Sequence, residues 1–361
     1  MAKLVVHVAE VDLSEESGMG RVGWHWKHEF ERRGYEFLHI GPAQVGSVPH
    51  PAWFPYAAYR AYQRLGMKAS LFLVHEPASG AFVHKSIPTV VISHGLERRF
   101  WQLALEGNSG LSQKIKLRTK ILFPIWRLRH CDLGLGKADL VLLINQQDAE
   151  FAQKYYRLNQ QKIFVFKNGV VPSYINENIQ PNGNLNVIFL GSWIERKGIK
   201  TLVQAAQLLY QNQIPINWIV AGTNIGREKV LNFWASELHH FVEIMPHFSR
   251  AMEENLFARS HVFVLPSFFE GQSLALLQAM ETGRCCITTD CCGQRDLIQD
   301  GYNGLLHQPG DAQHLAFLIE RCAQELDLRT NLGKNAKLSV KNRAWETVSA
   351  EVIDRIEKLL S

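Results

Sequence analysis

The strongest constraint on this chain is a rhythm of short, nearly continuous apolar runs, each followed by a longer stretch of mixed polarity. In the first half the runs are KLVVHVA, YEFLHI, SLFLVHE, TVVISH, ADLVLLIN and KIFVFKN; the rhythm restarts with LNVIFLGS, INWIVAG, FVEIMPH, HVFVLPS and CCITTD. Runs of Val, Ile, Leu and Phe without strict alternation mark strands buried on both faces, and the intervals between them suit helices. Strands alternating with helices build parallel sheets from right-handed βαβ units. The expected fold class is α/β, with two Rossmann-like doubly wound parallel-sheet domains. The 361 residues suffice for two domains with cores of their own.

Between the two series lies NGVVPSYINENIQPNGNLN, Asn168 to Asn186, rich in Asn, Pro and Gly and without an apolar period. That is linker chemistry. The expected domains are therefore 1–170 and 171–340, with 341–361 a further helix. Two open α/β sheets in tandem bring their carboxyl edges, where ligands bind, beside a shared cleft. The opening MAKLVVHVAEVD reads as a first strand rather than a signal peptide, and no run approaches the ~18 apolar residues of a membrane span. The six cysteines contain no CxxC, and their adjacent pairs neither bridge nor chelate readily. A reduced, cytoplasmic protein is expected, with no metal site.

Charge is local. Between Gly107 and Cys131 stand Lys114, Lys116, Arg118, Lys120, Arg127 and Arg129 with no acid, so this segment carries +6 of a net +5 and the rest sums to −1. A nucleic-acid binder needs a broad basic stripe, and none is present. Within SQKIKLRTKILFPIWRLRH the cations alternate with Ile115, Leu117, Ile121, Leu122, Phe123, Ile125, Trp126 and Leu128. Such a segment, Lys114 to Arg129, suits peripheral contact with an anionic membrane face. It equally suits a core helix pair broken at Pro124 with a solvated basic face.

The stretch FFEGQSLALLQAMETG follows the strand HVFVLPS. Its apolar residues make a buried helix closed by Gly283, whose N-terminus leaves the sheet's carboxyl edge. Backbone N–H groups at Gln272, Ser273 and Leu274 then offer an anion site, and Gly271 lets a ligand approach the backbone. Glu270 would repel a phosphate and suits sugar hydroxyls instead. Spacing alone also allows Ser273 as a plain helix cap and Glu270 as a solvated loop acid.

These residues resemble the GT-B glycosyltransferases of the large retaining group called family 4, whose donor-site pattern is like E-G-x-x-L-x-x-x-E-A-M-x-x-G. The departure is Gln278, where the family's second acid typically holds the nucleotide ribose; a Gln amide pairs with a diol without charge assistance. VIFLGSWIERKGIKTLVQA resembles the family's first donor-domain strand, loop and helix, with Gly191 and with Lys197 before Gly198 as the diphosphate lysine. Ser192 stands where the family often has an Arg, and Arg196 could supply that charge. CCGQRDLIQDGYNGLL keeps Asp296, Gly301 and Gly304, and FKNGVV resembles the start of the family's linker. In the first half, SGMGRVGWHWKHEFERRGYEF is similar to the family's glycine loop and helix, with Gly18 and Gly20, and ISHGLERRFW places His94 where relatives hold a His near the transferred sugar.

The resemblance implies two domains facing across a cleft, with the last helix crossing back to the first. It also implies Cys285 and Cys286 as core and Cys291 and Cys292 as tight-loop residues. The implied activity is retaining, metal-independent hexosyl transfer from a UDP- or GDP-type sugar to a glycan, lipid-linked or small-molecule acceptor, in the cytoplasm or on the inner membrane face. The departing diphosphate gathers charge that preorganised donors can stabilise, here Lys197, Arg196 and the helix N-terminus. Glu270 would orient the sugar. Two alternatives remain at this point: a non-catalytic nucleotide-sugar or glycan-binding partner with a decayed donor site, and a nucleotide-sugar epimerase on the same architecture.

Overall fold

The computed structural model describes residues 3–360 apart from 17, 84–85, 111–114, 174 and 176–182. Its described residues cluster into two units. Unit 1 comprises Met1–Glu106, Gln113–Gly169 and Trp345–Ser361; unit 2 comprises Gly107–Ser112 and Val170–Ala344.

Unit 1 is built on a six-stranded sheet of β1 (Leu4–Val8), β2 (Glu36–Ile40), β3 (Leu71–His75), β4 (Thr89–Ser93), β5 (Leu140–Leu143) and β6 (Ile163–Val165). The order is β2-β1-β3-β4-β5-β6 and every pairing is parallel. β1, β3, β4 and β5 are buried along their whole length, which is why they read as unbroken apolar runs rather than as alternating ones. One face packs Val6, Val8, Phe72 and Val74 against Phe54, Tyr62 and Phe82. Another core joins Val91, Val141 and Leu143 to Leu135, Ala149 and Ala152. The helix Trp345–Glu357 belongs to this unit, where Asp354 and Glu357 pair with Arg33 at 2.6 and 2.7 Å.

Unit 2 repeats the plan with β7 (Leu185–Leu190), β8 (Ile216–Ala221), β9 (Val242–Met245), β10 (Val262–Leu265), β11 (Cys285–Thr289) and β12 (Leu305–His307). All pairings are parallel, in the order β12-β11-β10-β7-β8-β9. Each of the apolar runs noted in the sequence holds a strand. β12 was not among them, because three residues, LLH, are too few to show a period. Phe189, Val187, Phe263 and Val264 fill the centre of a single core. Of the cysteines, Cys285 and Cys286 lie buried on β11, Cys292 opens the helix Cys292–Leu297 with φ +50°, and all six are free thiols.

The strand orders fix where ligands can approach. In doubly wound sheets that place is the carboxyl edge where the order reverses. The reversals fall between β1 and β3 in unit 1 and between β7 and β10 in unit 2.

Candidate functional site

At the β7/β10 reversal the chain leaves β7 through Gly191 and Ser192, and a 3-10 turn, Glu195–Lys197, presents two cations before the helix Ile199–Gln211. Gly198 makes the junction at φ +73°, and a Cβ there would stand 1.8 Å from the Pro266 carbonyl oxygen. Only glycine allows this contact, which fixes the cationic turn against the end of β10. The turn is tied a second time where the Phe268 N–H donates to the Arg196 carbonyl at 2.9 Å.

From the other side of the reversal comes Glu270, buried at 7% exposure. Its Oε1 lies 2.6 Å from Lys197 Nζ and 3.3 Å from Arg196 Nη1. Arg196 also donates to the Phe269 carbonyl. Burial pushes the Glu270 pKa upward, but the charges of Lys197 and Arg196 overcome it and hold the carboxyl below its ordinary value. Glu270 is thus an ionised, paired residue and not the solvated loop acid that spacing alone also permitted. Two cations on one carboxylate leave a formal charge of +1. A Cβ on Gly191 would stand 3.7 Å from Lys197 Cε, so the lysine stem crosses the end of β7.

Ser273 caps the helix Leu274–Glu281, its Oγ accepting from the Leu276 N–H at 3.3 Å. The N–H groups of a helix's first turn have no partners within the helix, so this terminus can receive an anion. The Glu270–Gly271 loop packs so tightly that a Cβ on Gly293 would meet the Gly271 carbonyl oxygen at 1.7 Å. The Gln272 side chain accepts from Arg343 at its Oε1, at 3.1 Å. Ser192 accepts from Asn224 Nδ2 at 3.0 Å.

Gln278 stands apart from this cluster. Its Nε2 donates to the Val171 carbonyl at 3.0 Å and its Oε1 accepts from the Val171 N–H at 3.4 Å. Both ends of the amide thereby serve the backbone that leads into unit 2.

In unit 1, His94 lies just beyond β4, its ring 5.0 Å from His75 and edge-on to Phe166. Burial lowers its pKa to about 4, so the imidazole is neutral, and its Nε2 has no hydrogen-bond partner among the described residues. Gly18 and Gly20, expected in a loop, form the first turn of the helix Gly18–Arg32.

Sequence reasoning missed a line of histidines on the same edge. His39 Nδ1 is 2.9 Å from His7 Nδ1, and His7 Nε2 is 3.1 Å from His75 Nε2. Each contact needs one nitrogen to donate and the other to accept, so the three rings hold matching tautomers. Desolvation lowers the pKa of all three. The signal was present: LVVHV, EFLHI and LFLVH each carry a histidine towards the strand's carboxyl end.

Lys114 lies outside the described residues. The remainder of the basic segment forms a helix Leu117–Phe123, a π-helical turn Pro124–Leu128 and a helix Arg129–Lys137. Leu117, Ile121 and Ile125 are 73%, 54% and 52% exposed and recur every four residues, with Trp126 exposed beside them. Leu117, Ile121, Ile125 and Trp126 therefore form an outward stripe, while Leu122 and Phe123 are half-buried and Leu128 is fully buried, so the segment also keeps one face on the core. Arg127 leaves the basic face and pairs with Glu10 and Glu97 at 2.9 and 2.7 Å. Among the described residues no helix is long and apolar enough to cross a membrane.

Residues 171–339 match the family model described as glycosyl transferases group 1. Over 230 residues, 59% of this chain and 64% of the relative, the sequence is 26% identical to an uncharacterized glycosyltransferase of Methanocaldococcus jannaschii. It is also 26% identical, over 56% of each chain, to the N,N'-diacetylbacillosaminyl-diphospho-undecaprenol alpha-1,3-N-acetylgalactosaminyltransferase of Campylobacter jejuni. The match thus spans about 60% of these curated relatives' length. Among solved structures, sucrose-phosphate synthase from Thermosynechococcus elongatus superposes with a TM-score of 0.80 at 18% identity, covering 99% of both chains. The fold is the two-unit α/β fold of GT-B proteins, and the half that carries the Lys197–Glu270 cluster is the half that matches the glycosyltransferase family.

Proposed function

We propose that this chain is a retaining glycosyltransferase of the family 4 type, moving a hexosyl group from a UDP- or GDP-sugar to a glycan or lipid-linked acceptor. The observation that carries the reading is the pairing of Lys197 and Arg196 with one buried carboxylate at the β7/β10 reversal of the unit that matches the family. A departing diphosphate gains negative charge as the glycosidic bond breaks, and fixed cations beside a helix N-terminus lower that barrier. In this reading Lys197 and Arg196 face the diphosphate with the amides of Gln272, Ser273 and Leu274, while Gly191 and Gly271 leave room for it. Glu270 holds the cations in place before the donor arrives and orients the sugar's hydroxyls afterwards. His94, neutral, is assigned to the transferred sugar. The leaving-group charge is met by protein groups, without a metal.

The chemistry of the outward stripe supports a further element of the proposal. Leu117, Ile121 and Ile125 with Lys116, Arg118, Lys120 and Arg129 would seat unit 1 on an anionic membrane face, bringing the enzyme to a lipid-linked acceptor. One observation favours a second reading. Gln278 binds Val171 through both ends of its amide, which draws it away from the ribose role that relatives give this position and suits a binding partner with a weakened donor site.

A thermal-shift panel of UDP, GDP, ADP and their sugars, with and without EDTA, separates the readings. A ligand at about a hundred times its Kd raises stability by roughly 2.7 kcal/mol, a shift of several degrees. A shift for one base that survives EDTA and disappears in Lys197→Ala, followed by sugar transfer, supports the enzyme. Binding with neither transfer nor donor hydrolysis supports the partner reading, and no shift with any nucleotide counts against the enzyme and puts the partner reading ahead.

A further inference from the structure

His94 is carried on a sharp turn, with Gly95 at φ +135°, and something must hold that turn in one shape. Three successive amides beyond the histidine are each collected by a buried side chain from a different part of unit 1. The Gly95 N–H donates to Ser93 Oγ at 3.3 Å, the Leu96 N–H to Asp148 Oδ2 at 3.2 Å, and the Glu97 N–H to Glu76 Oε1 at 3.2 Å. Ser93 Oγ itself lies 2.6 Å from Glu76 Oε2. One carboxyl, 2% exposed, therefore takes up the amide at the far end of the turn directly and the amide at its near end through Ser93.

We propose that Glu76 is a positioning residue for His94, its carboxyl bracketing the turn Ser93–Glu97 so that the imidazole is presented in a single conformation. The inference rests on the role given to His94 above. The protonation state of Glu76 is part of the device. Burial, and then the charges of Glu97 and Asp148, push its pKa up to about 8. The groups around it are Glu97 from the helix Glu97–Leu105, itself neutralised by Arg127; Asp148 from the helix Gln146–Tyr155, held by Arg99 at 2.9 Å; Cys131 and Tyr156, both neutral; and His75, the residue before it. At neutral pH the acid's own O–H can supply the proton between Glu76 and Ser93. Above its pKa a third negative charge joins those of Glu97 and Asp148; the bonds from Ser93 and the Glu97 N–H favour that charge but do not offset its burial and repulsion, so the turn is destabilised.

The sign follows. The folded pKa lies above the unfolded one of 4.5, so the stabilisation is complete below 4.5 and is lost as pH rises through about 8. Glu76→Gln keeps the acceptor and a donor but cannot ionise, so it should remove the alkaline loss; Glu76→Ala should abolish the bracket.

The test has two readouts. Hydrogen exchange of residues 93–97, compared at each pH between about 6 and 9, should show protection in the wild type that falls at the alkaline end, protection in Glu76→Gln that does not, and none in Glu76→Ala. Donor turnover should fall by roughly tenfold or more in Glu76→Ala through kcat, with donor KM unchanged, while Glu76→Gln stays near wild type at pH 7 and keeps its rate at pH 9. Identical exchange in wild type and Glu76→Gln across the range overturns the proposal. So does unchanged turnover in Glu76→Ala when His94→Ala is impaired. If His94→Ala also turns over normally, the assignment of His94 is what has failed.

Discussion

Lys197 Nζ stands 2.6 Å from Glu270 Oε1, and this contact joins the two loops that flank the β7/β10 reversal. Because both groups are largely buried, removing one strands the other. Lys197→Met should destabilise unit 2 by about 3 kcal/mol, less than a fully uncompensated charge would cost since Arg196 remains. It should also let the Glu270 carboxyl drift upward in pKa. The double variant Lys197→Met/Glu270→Gln should recover much of the loss in urea unfolding while still failing to bind a nucleotide. Additive losses would show that the pair is not coupled.

Acid should weaken unit 1 before it weakens unit 2. His7, His75 and His94 are held neutral by burial, with folded pKa values below the ordinary 6.5 and that of His94 at about 4. A depressed histidine lends its full stabilisation above 6.5 and loses it as pH falls from 6.5 towards the folded value. For His94, at about 4, this amounts to about 1–2 kcal/mol between pH 6.5 and pH 5, and His7 and His75 add to it in the same direction. Urea titrations at those two pH values, with His94→Asn removing one group's share of the slope, test this; a slope unaffected by the substitution would refute it.

Gln278 should behave as a tie to the chain entering unit 2. Gln278→Glu removes the donor to the Val171 carbonyl and sets a negative charge against it, so unfolding should become easier by about 1–2 kcal/mol. Equal stability, together with tighter nucleotide binding, would mean that this side chain is free to turn towards a ribose.

The stripe on the helix Leu117–Phe123 makes a distinct prediction. Vesicles containing anionic lipid should float the wild-type protein, and both Leu117→Ser/Ile121→Ser and Lys116→Glu/Lys120→Glu should lower the bound fraction severalfold without changing the melting temperature. Flotation that ignored both pairs would remove the membrane contact from the proposal.

The parallel sheets were legible because strands such as VVHV and VFVL are apolar on both faces. A buried parallel strand has no polar side to hide it from a reader of the sequence. The cation turn was legible because Arg196, Lys197 and Gly198 are contiguous and stand at a fixed distance from an apolar run. The place of each histidine near a strand's carboxyl end was visible, but which rings meet, and the Glu76 bracket, were not, since His7, His39, His75 and Glu76 come together only through strand pairing across as many as 68 positions. The outward turn of Ile121 and Ile125 was one of two readings left open, because the same apolar spacing serves a core helix and a surface one. Gln278 shows a third kind of failure: its partner is backbone, and a main-chain amide has no letter in the sequence.

The ownership of the last helix has a consequence for dissecting the molecule. Residues 345–361 complete unit 1, yet they follow the whole of unit 2 in the chain. Unit 2 is in effect an insertion within unit 1, so no single cut yields two finished halves. A fragment ending near Gly169 keeps its sheet but leaves Arg33 and Tyr35 without Asp354 and Glu357. On the ribosome, likewise, unit 1 can close only after the whole of unit 2 has emerged.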